Sequence, residues 1–193
     1  DAAQAPLIFL LFISATMVVL SYAQFYDFLQ SFYFDPQVSE IRRIIYASFF
    51  LISPLSLSSG MIFTVLGKLL YDELGTETRT AGILTLANTL GGMFGSLLAG
   101  FLFIPFLGME RSFLLISIIY GALILFAIGD KNILSGKNKI VSLLTLALLV
   151  LIIALFPYGT MRRNLNVPIA RFHNNLGENR VAVKEGANET IQY

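Results

Sequence analysis

Apolar runs long enough to cross a bilayer alternate with short polar breaks along most of this chain, and the pattern stops after Pro157. A spanning helix needs about 20 mostly apolar residues. Five stretches meet that measure. The first runs from about Pro6 to Gln24, and the second begins after Arg42 and Arg43 and runs to about Leu70. The second is long enough to tilt and holds Pro54, which predicts a kink because proline lacks the N–H that bonds back one turn and crowds that turn. The third, about Thr80 to Ile104, is expected to stop at Pro105. The fourth, Ser112 to about Ile128, follows so closely that "PFLGMER" reads as a tight reversal pairing helices three and four as an antiparallel hairpin. The fifth runs from about Ile140 to Phe156 and ends at "PYGTMRR". This pattern predicts an all-α polytopic membrane bundle of about five transmembrane helices over residues 1–160. Its two ends would lie on opposite faces.

Between the first two stretches, "FYDFLQSFYF" packs six aromatic residues around one charge, Asp27. Rings at that density beside a span end suit a segment lying in the headgroup zone. Residues 161–177 read as a linker. From 178 to 193 the chain alternates like a strand pair, Val181 and Val183 on one side and Ala182 and Lys184 on the other, with "EGAN" as the turn. A lone hairpin is not stable by itself, so this short C-terminal β-hairpin is expected to start a soluble domain that the 193 residues do not include.

Composition supports the membrane reading: 56% of residues are hydrophobic and 13% charged, against about 25% charged in soluble domains. The mean hydropathy is +0.75. Thirteen basic and twelve acidic residues leave a net charge of +1, which gives no footprint for nucleic acid. Orientation does not follow from charge either. Arg42, Arg43, Arg111, Arg162 and Arg163 flank one face and Lys68, Arg79, Lys131, Lys137 and Lys139 the other. With no cysteine and one histidine, His173, metal and thiol chemistry lack ligands. The chain opens on Asp1 without a basic leader, so its first apolar stretch does not read as a signal peptide. It is expected to be a piece of a longer protein.

Within the third stretch lies "ANTLGGMFGSLLAG". Ala87, Gly91, Gly95 and Ala99 recur every fourth position, as do Asn88, Gly92, Ser96 and Gly100. Two such ridges of small residues make a smooth helix face on which a neighbouring backbone can approach closely and gain van der Waals contact. If they do, Gly95→Leu should lower stability sharply and Leu97→Ile should not. Asn88, the carboxamide well inside a span, reads as an interhelical hydrogen-bonding residue, worth about 0.6 kcal/mol on average; a binding role for a transported molecule is the sharper alternative. Ser53, Ser56, Ser58 and Ser59 surround Pro54, and their hydroxyls are expected to bond carbonyls that the proline frees, with a polar path for a solute as the alternative. The "GGMFG" run is no phosphate loop, since it lies mid-helix with no strand before it. No Asp, Glu, Lys, Arg or His sits at the middle of any span, as a proton relay or ion-coupled pump requires. His173 reads as a linker residue, and "NET" at Asn188 fits a glycosylation pattern that is common by chance.

The run "GILTLANTLGGMFGSLLAGFLFIPFLGMERSFLL", Gly82 to Leu115, is similar to the membrane domain of spermidine synthase-like polytopic membrane proteins, as is the preceding "LISPLSLSSGMIFTVLGKLL". The tail "ENRVAVKEGANETIQY" resembles the opening strands of that family's aminopropyltransferase-like domain. The resemblance covers about Leu51 to Leu125 well and Glu178 to Tyr193 loosely. It implies a Rossmann-like domain after the last span that binds decarboxylated S-adenosylmethionine, with acidic residues for the polyamine; none of those residues lies within these 193. The expected function is therefore a membrane anchor in a prokaryotic cytoplasmic membrane that positions a cytoplasmic transferase domain, with passage of polyamine through the bundle as an added role. This part carries no catalytic residue, cofactor or metal, and lipid is its expected partner. The alternatives are a transporter-type half-bundle with a polar site at Asn88, Ser53 and Ser56, or a structural subunit docking a second copy or another membrane subunit through its glycine ridges.

Overall fold

The computed structural model describes residues 4–28, 39–129, 136–160, 183–185 and 190–192. The aromatic segment from Phe25 to Phe34 lies largely outside the described residues, as do the linker and most of the tail. Within them the chain is an all-α bundle. Helix α1 covers Gln4–Phe28, α2 Glu40–Leu74, α3 Glu77–Leu98, α4 Gly108–Gly129 and α5 Gly136–Ala154. A π-helical segment, Ala99–Leu107, joins α3 to α4. Among the described residues, three helical stretches are long and apolar enough to cross a membrane: Ala5–Phe25, Ser48–Leu74 and Glu77–Ile128. The third has 52 residues, well beyond the roughly 20 that one crossing needs. The apolar part of α5, Ser142–Ala154, is shorter than a usual span.

The breaks differ from those expected, and each has a local cause. Helix α2 continues through Pro54 to Leu74 and ends on Gly75, whose φ of 66° is left-handed and whose N–H caps the Tyr71 carbonyl. Only two residues, Gly75 and Thr76, then separate α2 from α3. Pro105 does not stop the third stretch. In an α-helix its ring would collide with the carbonyl four residues back; the wider π turn moves that carbonyl away, and the helical backbone carries on to Leu107. The interruption falls at Gly108, with φ 77° and ψ 169°, a backbone shape that side-chain-bearing residues avoid. Nor do α3 and α4 pack along one another as a hairpin. Helix α3 leans on α2, whereas α4 packs on α1 and α5.

Helix α1 is the centre of the bundle, in contact with α2, α4 and α5. Ile8, Leu11 and Ala15 of α1 form the core with Ile124 of α4 and Leu149 of α5. A second cluster joins Val19 and Tyr22 to Phe156, just past α5. In the apolar window of α1, 39% of residues are buried, against 6% in that of α2, so α2 shows most of its apolar surface to its surroundings. Apart from the helices, Val183–Glu185 (β1) pairs antiparallel with Thr190–Gln192 (β2), Val183 opposite Gln192 and Glu185 opposite Thr190.

Candidate functional site

Two constellations stand out, a groove across the bundle and a carboxylate clasp at one end of it. The groove has α1 as its floor and α2 and α4 as its walls. One part, about 670 Å3, is lined by Tyr22 and Phe25 of α1, Leu55 and Ser56 of α2, and Phe113 and Ile116 of α4, among others. A second part, about 420 Å3, continues from Leu11 to Leu7 on α1. Ser59 and Tyr120 line both parts and form the waist between them. None of the lining side chains is charged.

Behind the waist is a buried polar chain. Ser14, fully buried on α1, donates to Ser58 at 3.0 Å, and Ser58 donates onward to the Leu55 carbonyl at 2.9 Å. The Tyr120 hydroxyl also interacts with Ser14. Linked donors of this kind strengthen one another where water is excluded. They hold α1 to α2 beside Ser59, which lines both parts of the groove. Ser53 bonds the Phe49 carbonyl at 2.6 Å. The two serine hydroxyls, of Ser53 and Ser58, thus bond the Phe49 and Leu55 carbonyls rather than that of Phe50, whose usual donor Pro54 lacks.

The clasp is built on Glu110, in the first turn of α4. One of its oxygens accepts the hydroxyl of Tyr22 at 2.8 Å, and the other accepts the backbone N–H of Gly159 at 2.7 Å. Tyr22 is buried and stacks on Phe156 with ring centres 4.8 Å apart. Hydrogen bonds to an ionised carboxylate are among the stronger ones. A single carboxylate thus ties the C-terminal part of α1, the start of α4 and the turn after α5.

No known-family model, curated protein or solved structure matches this chain. The residues singled out by pattern are therefore judged on geometry. Of the proposed polar site, Ser56 lies in the groove. Ser53 is turned to its own backbone, and Asn88 sits exposed on α3, a helix that lines no part of the groove. Asn88 is thus not brought to the groove that Ser56 lines.

The small-residue ridges are present on α3 and the π segment; the π segment touches β1, but among the described residues nothing packs closely on the ridge glycines. A Cβ built at Gly91, Gly92, Gly95 or Gly100 finds no described neighbour within 4 Å, and Ser96 bonds back to the Met93 carbonyl. Ala87 is exposed, and Ala99 half-buried. The close approach occurs instead at Gly67 of α2, where a Cβ would lie 3.3 Å from the Leu84 side chain of α3. The expected sensitivity therefore moves. Gly95→Leu should leave the thermal stability of the solubilised chain within about 0.5 kcal/mol, while Gly67→Leu should lower it by about 1–3 kcal/mol through overpacking. A larger loss at Gly95 in a monodisperse monomer would contradict this.

Sequence reasoning missed Tyr22, Glu110, Gly159 and Tyr120. The available signal was Glu110 itself, a carboxylate in the short break "LGMER" between two apolar runs.

Proposed function

We propose that this chain is a membrane-anchoring bundle that presents a rigid exit for the polypeptide after α5, and that the following domain is aminopropyltransferase-like. The observation that carries the anchoring part is the Glu110 clasp. An anchor that sets the position of a following domain needs its last helix fixed to the bundle, and Glu110 holds the turn at Gly159 against α1 and α4. The transferase part rests on the sequence resemblance over Gly82 to Leu115 and on the β1–β2 pairing as its first strands. The location proposed is a prokaryotic cytoplasmic membrane crossed several times.

Passage of a polyamine through the bundle is not part of this proposal. A polycation requires carboxylates or other acceptors along its path, and the groove lining has no charged side chain. The test is to express the full-length protein and assay spermidine formation from putrescine and decarboxylated S-adenosylmethionine in membranes and in the soluble fraction. Activity confined to membranes, and released to the soluble fraction when residues 1–160 are deleted, is the expected result. No activity in either fraction, with the protein shown to be folded, would overturn the transferase reading.

A second reading is favoured by the open face of α3 at Gly91 and Gly95: a subunit of a larger membrane assembly. Copurification of a foreign subunit in fixed ratio would favour it, and a monodisperse monomer would count against it.

A further inference from the structure

We infer that the groove between α2 and α4 is a binding site for an uncharged long-chain amphiphile, an alkyl or acyl chain bearing one hydroxyl group. The inference is independent of the anchoring role and of any transferase domain. Its first ground is size and lining. The larger part, about 670 Å3, falls within the range of sites that enclose small molecules, roughly 300–1,000 Å3. Like them it is mostly apolar with a few polar groups. The absence of charge in the lining excludes a phosphate or ammonium group from the interior, where an unpaired ion would be costly.

The second ground is shape. The two parts follow α1 from Phe25 to Leu7, about 27 Å at 1.5 Å per residue, close to the thickness of a hydrocarbon core. A transmembrane helix with its side chains is about 10 Å across along its whole length. The two parts of the groove share only Ser59 and Tyr120 in their linings, which suits a flexible chain better than a rod of constant width.

The third ground is hydrogen bonding. Ser14 and Ser58 bond each other, Tyr120 interacts with Ser14, and Tyr22 is bonded to Glu110. Ser56 and Ser59 line the groove as exposed residues and make no hydrogen bond to the described residues. Their hydroxyls both donate and accept, so a ligand hydroxyl at the waist would complete them.

The chain has no tryptophan, so a single introduced one reports locally. Ile52 is on the groove rim and 60% exposed, while Leu57 is exposed on α2 away from the groove. The probe is 9,10-dibromo-octadecanol, added to the whole chain in a mild detergent. Emission of an Ile52→Trp chain should be quenched along a saturable curve, and that of a Leu57→Trp chain along a shallow curve without saturation. Adding Ser59→Phe should abolish the saturable part. Ser59→Ala or Ser56→Ala should raise the half-saturation concentration about fivefold, the equivalent of one net hydrogen bond. Dibromo-octadecane, which lacks the hydroxyl, should bind the parent and the alanine chains equally.

Like, unsaturated curves at both reporters would overturn the site, since they mean simple partition into the micelle. So would an Ile52→Trp chain that is not quenched and runs as a dimer, which would show the groove covered by a second copy. Should Ser59→Phe lose helicity, Ser56→Phe fills the same wall, and saturable quenching that survives it equally counts against the proposal.

Discussion

Replacing Glu110 with alanine should lower the stability of the detergent-solubilised chain by about 3 kcal/mol, the largest effect expected of any single polar substitution here. Two bonds to the carboxylate are lost, from the Tyr22 hydroxyl and the Gly159 N–H. The loss is compounded because Tyr22 is only 3% exposed, so little water reaches its side chain to replace the lost bond. Tyr22→Phe removes one of the two bonds along with its own donor, leaves no orphaned hydroxyl, and should cost about 1 kcal/mol. Glu110→Gln keeps a carbonyl oxygen for one partner and should fall between them. Helix position alone does not account for the effect. Glu77 occupies the first turn of α3 as Glu110 does that of α4, so Glu77→Ala carries the same loss at a helix N-terminus, at most about 1 kcal/mol. Thermal unfolding of the four chains compares them directly. Equal losses at Glu77 and Glu110 would show that the clasp adds nothing.

The second large effect should come from the core behind α1. Leu149 is fully buried against Ile8, Leu11, Ala15 and Ile124, while its neighbour Leu148 is 49% exposed. Leu→Ala in water-soluble cores costs about 2–5 kcal/mol. Part of that range is transfer from water, and lipid or detergent is already as apolar as the core. What remains is lost dispersion contact around the cavity, so Leu149→Ala should cost about 2 kcal/mol, at the low end. Leu148→Ala faces the apolar solvent and should cost less than about 0.5 kcal/mol. Denaturation in a graded detergent mixture measures both. Similar losses at the two positions would mean that α5 is not seated on α1 and α4 as described.

The Glu110 clasp and the glycine ridges show where reading the chain by pattern succeeds and where it fails. Helix formation under apolar runs is a local matter: each backbone N–H finds its acceptor a few residues away, so the runs are sufficient to place α1, α2, α3, α4 and most of α5. The ends are local as well, yet they were misplaced at Pro105, because the cost of proline depends on which ladder the backbone adopts and the π turn avoids the clash. The small-residue periodicity of α3 was legible, but a ridge describes one surface only, and whether anything approaches it depends on a second element.

By itself, then, the sequence determined that this is an all-α bundle over its first 160 residues with helical stretches long and apolar enough to cross a membrane, and that it holds no cysteine or histidine cluster. Tertiary structure alone decided which faces meet. Tyr22 and Glu110 are 88 positions apart, Glu110 and Gly159 49, and Ser14 and Ser58 44. No periodicity within one helix encodes a pairing between two. The physical reason is that backbone bonds close within a turn, whereas the clasp, the serine pair and the groove exist only once α1 has packed between α2, α4 and α5.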